Sequence, residues 1–204
     1  MCSVLDPAFA ELVAIYTEAL VPSERKSLER LQAMIEQPGY FFLVATESNA
    51  VAGFSIVRAF EDSDAALLEY IAVARPLRNR GVGQRLFEET ASFSIIASRF
   101  LLIETESDKK PSADLSDRMR RKTFYRRLGC REVEQLAYIM PPVSSEAPPE
   151  MDMLVYKREL PLQVERTRLR QWLERSYVEV YGMSANDVRI DVMLRNLKSH
   201  VQLI

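Results

Sequence analysis

The sequence has little histidine and little cysteine. Its 204 residues include one histidine, His200, and two cysteines, Cys2 and Cys130. Zinc sites need several such ligands close together, and disulfide frameworks need several cysteine pairs. We therefore expect no metal site and a reducing, cytoplasmic location.

The sequence also lacks a surplus of charge and a long apolar run. Its 27 basic and 29 acidic residues give a formal net charge of −2, whereas nucleic-acid binding favours a basic surplus. No apolar stretch reaches the roughly 20 residues that cross a bilayer, and acidic residues stand where a signal peptide has its hydrophobic segment. We therefore expect neither nucleic acid nor a membrane as a partner.

Apolar residues are plentiful enough for one core. They make up 48% of the chain, and this length suits one domain with a small appendage. After two helical segments, the pattern of apolar runs and turns reads β-β-β-α-β-α-β-β. It predicts an α/β (α+β) fold with a mixed, mostly antiparallel central sheet flanked by helices. Within this order we expect a helix over 82–98 and a strand at about 132–140.

Beyond Pro161 the apolar spacing is helical throughout. It predicts an αα-hairpin whose second helix is capped by Ser184. The apolar faces must be buried, either on the domain's own sheet and helices or in a homodimer, and the solution mass distinguishes these alternatives. We accordingly divide the chain into a domain over 1–160 and a C-terminal helical extension over 161–204.

One stretch joins an apolar strand to a helix through a basic, glycine-bearing bend. The strand-like run 67–73 ends before Pro76, the bend reads Arg-Asn-Arg-Gly-Val-Gly over 78–83, and helical spacing then resumes. Glycines lack Cβ atoms, so several backbone N–H groups can point at one spot, where the helix dipole also favours an anion. The bend predicts a pyrophosphate site; the alternative is an ordinary strand-to-helix turn.

The bend does not fit two common phosphate-binding motifs. A Walker A loop would continue with Lys-Ser or Lys-Thr, but Gln84 and Arg85 follow Gly83. A Rossmann fingerprint would have a third glycine where Leu86 stands. The segment instead resembles the acetyl-coenzyme A motif of the GNAT superfamily of N-acyltransferases, Arg/Gln-x-x-Gly-x-Gly/Ala, with Arg78, Gly81 and Gly83 at the motif positions.

A second segment strengthens this resemblance. Residues 124–130 resemble the family's Phe-Tyr-x-x-x-Gly-Phe signature, with Cys130 in place of the final phenylalanine. Gly129 is a typical left-handed glycine at the end of a helix. The resemblance covers roughly residues 6–158. Relatives often carry asparagine where Arg118 stands, so the detailed coenzyme and acceptor contacts stay open.

The resemblance implies acetyl-CoA as co-substrate and transfer of its acetyl group to a primary amine of a small molecule or protein. It implies pyrophosphate on the amides of residues 80–84, the pantetheine arm along Ile71–Val73, and an N–H of Ala72 or Val73 at the thioester oxygen. It also implies Tyr125 as the acid that protonates the thiolate. The expected cofactor-binding residues are Ile71, Ala72, Val73, Arg78, Asn79, Arg80, Gly81, Val82, Gly83 and Gln84.

Glutamates within apolar strands are the candidates for the general base. Alternation places Glu69 on the side of Ile71 and Val73, and Glu104 together with Glu106. A partly buried carboxylate has a raised pKa, which suits a base; the alternative is a solvated or ion-paired carboxylate. We favour Glu104, because strand-like residues flank it on both sides, and retain Glu69.

Two further expectations concern what the protein acts on. Negative side chains at Glu104, Glu106 and Asp108 favour a cationic small molecule or a lysine-like group. The alternative function is a sensor that binds acetyl-CoA and acts on a partner protein through the C-terminal helices. Tyr125 and the strand glutamates favour the enzyme, since a binding module does not need them.

Overall fold

The structure, a computed structural model, describes residues 3–145 and 147–204, so Cys2 lies outside the described residues. In this part of the chain two N-terminal helices are followed by three consecutive strands and then by a mixture of helices and strands. They are α1 Pro7–Ala19, α2 Leu28–Glu36, β1 Tyr40–Glu47, β2 Ala50–Ala59, β3 Ala65–Val73, α3 Val82–Ser92, α4 Ser94–Ala97, β4 Phe100–Glu106, α5 Leu115–Arg127, β5 Arg131–Glu132, β6 Met151–Tyr156, β7 Gln163–Glu165, α6 Arg166–Glu179, α7 Val188–Leu194 and β8 His200–Gln202.

The central sheet has six strands in the order β1-β2-β3-β4-β6-β5. Strands β3 and β4 are parallel, and the other neighbours are antiparallel. Ser48 and Asn49 connect β1 to β2 with φ of 52° and 65°, the left-handed pair that a tight hairpin turn requires. The mixed, mostly antiparallel sheet expected from the sequence is confirmed.

Helices cover both faces of the sheet. Leu12 of α1 and Leu31 of α2 pack on one face with Phe54 of β2. Phe87 of α3 and Tyr125 of α5 lie in the hydrophobic cluster of the opposite face. Alternation along the strands sends successive side chains to these two faces. None of the helices in the described residues is long and apolar enough to span a membrane.

The C-terminal extension packs on the chain's own sheet. Its Trp172 and Leu173 share one hydrophobic cluster with Phe100 and Leu102 of β4, and Trp172 Nε1 donates to Asp64 Oδ1 at 2.8 Å. This is one of the two arrangements that the apolar faces allow. A homodimer through the remaining surface of the extension stays a prediction.

The extension was expected to be entirely helical, but it also contains two short strands. Strands β7 and β8 pair antiparallel at its two ends, because the chain returns beside its own start. Helix α7 begins after Asp187, whose carboxylate accepts the N–H of Arg189 at 3.0 Å. Asp187 therefore caps this helix, and the expectation of a cap at Ser184 is wrong.

Two expected boundaries also differ. The expected helix 82–98 is interrupted at Phe93, whose extended backbone (φ −56°, ψ 128°) lets its ring pack 5.3 Å from that of Phe41. The expected strand 132–140 consists of Arg131–Glu132 and an isolated bridge at Val133. Gln135 then adopts a φ of 60° and turns the chain out of the sheet.

Replacing Trp172 with alanine should lower the free energy of unfolding by about 3–5 kcal/mol, because a fully buried aromatic side chain is lost and a cavity remains. Urea denaturation followed by circular dichroism measures the change. Val188 is 70% exposed, so Val188→Ala should stay within about 0.5 kcal/mol of the parent. Equal stability of Trp172→Ala and the parent would contradict the packing of the extension.

Candidate active site

The site begins where two neighbouring strands separate. Strands β3 and β4 pair only from Ala65 with Phe100 to Leu68 with Ile103. Beyond that point no described strand pairs with Ile71–Val73 on the β4 side, although β2 pairs with them on the other side. The sheet therefore contains an open edge in its middle, facing β4.

A β-bulge at Glu69 accompanies this separation. Ile56 of β2 pairs with Tyr70 and Val57 pairs with Leu68, so Glu69 is the extra residue. A bulge bends its strand and interrupts the alternation of sides. Tyr70 consequently packs with α1 and α2, and Ile71 packs against the cluster of α3 and α5.

Because of the bulge, the side chain of Glu69 points to the opposite face of the sheet from the one expected. Its carboxylate forms an ion pair with Lys26, in the segment between α1 and α2, and both side chains are buried. It thus lies on the face of Tyr70, and the expectation that it shares the side of Ile71 is wrong. Alternation fails here because one additional residue is inserted in the strand.

The bend before α3 is exposed and its amides are free. Asn79 and Gly81 have φ of 63° and 81°, and Gly81 is the N-cap of α3 without a side-chain cap. The N–H groups of residues 79–84 donate to no acceptor in the described part of the chain, as is usual for the first turn of a helix. The arrangement provides several donors and the positive end of a helix dipole at one place.

Arginines and a second helix flank the bend. Arg78 and Arg80 are exposed, and they form surface ion pairs with Glu18 and Glu47, respectively. A Cβ atom added at Gly83 would lie 3.5 Å from Val73 and 3.8 Å from Phe124 of α5. The start of α3, the end of β3 and α5 therefore meet at Gly83.

The open edge of β3 presents particular backbone groups. Ala74 donates its N–H to Ala52 of β2 at 2.9 Å. Because the backbone groups of successive strand residues point to opposite sides, those of Ala72 also face β2, and those of Ile71 and Val73 face the gap. The carbonyl of Val73 accepts a hydrogen bond from Arg78 Nε at 3.0 Å.

Tyr125 lies on α5 between this bend and the core. Its side chain is 5% exposed, and its ring lies 6.0 Å from that of Phe87 on α3. Burial raises the pKa of Tyr125 above its usual value, so the phenol is neutral. No hydrogen bond of its hydroxyl to another described residue is present, which leaves this proton available. The glycine end of α5 is confirmed, with Gly129 at φ 90°.

Of the three candidate carboxylates Glu69, Glu104 and Glu106, Glu104 is the one without an ion pair to a described residue. The hydroxyls of Tyr138 and Tyr181 donate to its two oxygens. Burial raises the pKa of Glu104 to about 7, although these two hydrogen bonds act in the opposite direction. A carboxyl group with this pKa exchanges protons near neutrality, as a general base must.

The other expected acidic groups are ion-paired within the chain. Glu106 binds Arg121 at 2.6 Å and Arg118 at 3.4 Å, and Asp108 binds Lys122 at 2.7 Å. The basic side chains of α5 thereby neutralise both carboxylates. Of Glu104, Glu106 and Asp108, only Glu104 has no direct cationic partner among the described residues. The expectation that these three negative charges attract a cationic acceptor is therefore weakened.

A buried ion cluster fixes the helix that carries Tyr125. Lys122 is buried, and its ammonium contacts Asp108, Glu132 and Asp152 at 2.7, 2.9 and 2.6 Å. Lys109 contacts Glu132 at 2.8 Å and Asp152 at 2.7 Å. The cluster connects α5 to the end of β4, to β5 and to β6, and it lies one turn from Tyr125.

Comparison with known proteins agrees with this geometry. The family model described as the acetyltransferase (GNAT) domain matches residues 38–132. This part of the chain is therefore similar in sequence to a GNAT acetyltransferase domain. The match supports an acyltransferase, and proteins of the GNAT family use acetyl-CoA. The match runs from the start of β1 to the end of β5 and includes the bend and Tyr125.

Solved structures show the GNAT fold over most of the chain. A protein from Bacteroides thetaiotaomicron assigned to the GNAT family is 21% identical, with 86% of this chain and 93% of that chain covered and a TM-score of 0.71. A GNAT-family protein from Desulfovibrio desulfuricans is 18% identical, with coverages of 76% and 95% and a TM-score of 0.58. The Escherichia coli ribosomal-protein-S18-alanine N-acetyltransferase is 16% identical, with coverages of 77% and 96% and a TM-score of 0.52. At these identities the likeness concerns the fold. Comparison with curated protein sequences gave no match.

Sequence reasoning missed three residues of this site. Lys26 pairs with Glu69, and Tyr138 and Tyr181 bind Glu104. The partners are separated by 43, 34 and 77 residues. No local spacing indicates such contacts, so a single sequence carries no signal for them.

Lys122→Met should lower the free energy of unfolding by about 3–5 kcal/mol at pH 7, because buried carboxylates lose their cation. Burial alone would raise the pKa of Asp152, but hydrogen bonds from Lys109 and Lys122 outweigh it and lower that pKa. A depressed carboxyl pKa stabilises the fold above the unfolded value near 4 and ceases to do so as the pH falls through the folded value. The difference between variant and parent should therefore shrink towards acidic pH.

Chemical denaturation at pH 7 and at a pH below the folded pKa of Asp152 measures the difference in the free energy of unfolding at each end of this range. Arg120→Met is the matched control, because Arg120 is exposed and pairs only with Asp117 on its own helix. It should change stability by less than about 0.5 kcal/mol. A Lys122→Met protein as stable as this control at pH 7 would exclude the cluster as a fixing point of α5.

Proposed function

We propose that this protein is an acetyl-CoA-dependent N-acetyltransferase that acts by direct attack of a primary amine, of a small molecule or a protein, on the thioester. One observation carries the proposal. An exposed bend with free amides lies at the end of a strand whose edge is open to the gap in the sheet. A ligand with an anionic group at one end and an amide-bearing arm at the other suits both features at once.

The coenzyme would lie along these groups. The pyrophosphate would accept the N–H groups of residues 80–84, with Arg78 and Arg80 adding positive charge. The pantetheine arm would pair with Ile71–Val73 as an additional strand does. We propose the N–H of Val73 as the donor to the thioester oxygen. The N–H of Ala72 points towards β2 and is a poor candidate.

The side chains at the gap would move the protons. Glu104 would take the proton that the ammonium must lose before or during attack on the thioester carbon. The N–H of Val73 would stabilise the oxyanion that forms there. Tyr125 would then donate its phenolic proton to the departing thiolate. Glu69 is the second candidate for the base, but its carboxylate is already engaged in the ion pair with Lys26, which makes it the poorer one.

Gly83→Val should weaken coenzyme A binding at least tenfold, because the added side chain must lie between Val73 and Phe124 or over the free amides. Isothermal titration calorimetry measures the affinity. Glu88→Ala, one turn further along α3 on its exposed side, is the matched control and should bind as the parent does. A parent protein without affinity for coenzyme A would refute the proposed function.

Glu104→Gln should lower kcat by about 10²-fold or more, as loss of a general base does. Tyr125→Phe should lower kcat by a similar factor without weakening coenzyme A binding. For the parent, kcat/KM should rise with pH through about 7, because Glu104 must be ionised to accept a proton. Thiol release from acetyl-CoA across a panel of primary amines measures these rates.

Two outcomes would redirect these assignments. A Glu104→Gln enzyme with parental turnover would leave Glu69 as the candidate base, and Glu69→Gln is its test. Binding of acetyl-CoA without turnover on any amine or protein acceptor would instead favour the sensor that acts through a partner protein.

A further inference from the structure

Two tyrosines from separate parts of the chain bind one carboxylate. The hydroxyl of Tyr138 donates to Glu104 Oε1, and the hydroxyl of Tyr181 donates to Glu104 Oε2. Tyr138 lies in the segment between β5 and β6, and Tyr181 lies in the turn directly after α6. Each carboxylate oxygen accepts two hydrogen bonds, so both oxygens retain a lone pair for a further donor.

We propose that Tyr138 and Tyr181 are positioning residues for acetyl transfer, which hold Glu104 in one orientation at the gap between β3 and β4. The C-terminal extension thereby contributes a side chain to the reaction site. The inference rests on the proposed function in one respect, namely that Glu104 is the base.

The extension holds both hydroxyls in place. The hydroxyl of Tyr177 on α6 donates to the carbonyl of Ile139, next to Tyr138, and the N–H of Ile139 lies 3.2 Å from Met193 Sδ on α7. The ring of Tyr181 lies 6.3 Å from that of Tyr177. The two tyrosines that bind Glu104 are therefore fixed by the same pair of helices.

The groups that face Glu104 come from four elements. They are Lys26 before α2, Glu69 and Tyr70 on β3, Tyr138 after β5, and Tyr177 and Tyr181 at the end of α6. Burial raises the pKa of Glu104 to about 7; the two hydroxyls lower it, Glu69 raises it and Lys26 lowers it. Hydrogen bonds to the ionised form favour that form. The tyrosines thus orient the carboxylate and also favour its ionised form.

Tyr181→Phe tests this role in the full chain, because it removes one donor and preserves the ring. The pKa of Glu104 should rise by about 1 pH unit, and the acidic limb of kcat/KM should move to higher pH by the same amount. The KM for acetyl-CoA should stay unchanged. Tyr156→Phe is the matched control, since Tyr156 packs against Phe87 on the other face of the sheet, and it should leave the limb in place.

Two readouts separate this inference from the proposed function. Carbon-13 NMR of labelled glutamate carboxyls, with Glu104 assigned through Glu104→Gln, follows the pKa without any turnover. Displacement of both the NMR titration and the kinetic limb supports the inference. An NMR titration identical in Tyr181→Phe and the parent overturns it, even if coenzyme binding and turnover are intact.

A displaced NMR titration with an unmoved kinetic limb also overturns the inference, but for a different reason. The hydroxyls would then hold Glu104 although Glu104 is not the base, so the failure belongs to the proposed mechanism. If Tyr181→Phe does not fold, as judged by circular dichroism, Tyr138→Phe removes the other donor from the same carboxylate. The same two readouts and the same outcomes apply to it.

Discussion

The separation of β3 from β4 is the constraint on which the site depends. The two strands share four register pairs and then diverge at the bulge of Glu69. The divergence leaves one edge of β3 unpaired in the middle of the sheet. The backbone N–H groups of Ile71 and Val73 therefore become available inside a folded domain. Glu69 and Glu104 directly follow the last register pair, Leu68 with Ile103, so both lie where the two strands begin to separate.

The buried carboxylates of the domain have two kinds of partner, cationic side chains and neutral hydroxyls. Most buried carboxylates are balanced by lysine or arginine, as Glu69 is by Lys26 and Asp152 by Lys122. Such ion pairs hold neighbouring elements of the fold together. Glu104 differs because its partners are neutral hydroxyls. Burial therefore raises its pKa into the range where a base is useful, although the two hydroxyls and the charge of Lys26 act in the opposite direction.

Local features were predictable from the sequence, and contacts between distant segments were not. The sheet class, the bend with Gly81 and Gly83, and the glycine end of α5 at Gly129 depend on patterns within a few residues. The orientation of Glu69, the free or paired state of Glu106, and the course of the chain after β5 depend on partners far away in sequence. A bulge in particular leaves no signal in the hydrophobic pattern, because Leu68 and Tyr70 can both be buried on either side of it.

The sequence by itself determined which groups exist at the start of α3. A helix that begins after glycine residues has unpaired N–H groups wherever it lies in the fold, since that property follows from the geometry of its first turn. The tertiary structure alone decided which carboxylate is free to act. Glu69, Glu104 and Glu106 are alike in the sequence, each within an apolar strand. They differ because folding places ammonium or guanidinium groups beside two of them and tyrosine hydroxyls beside the third.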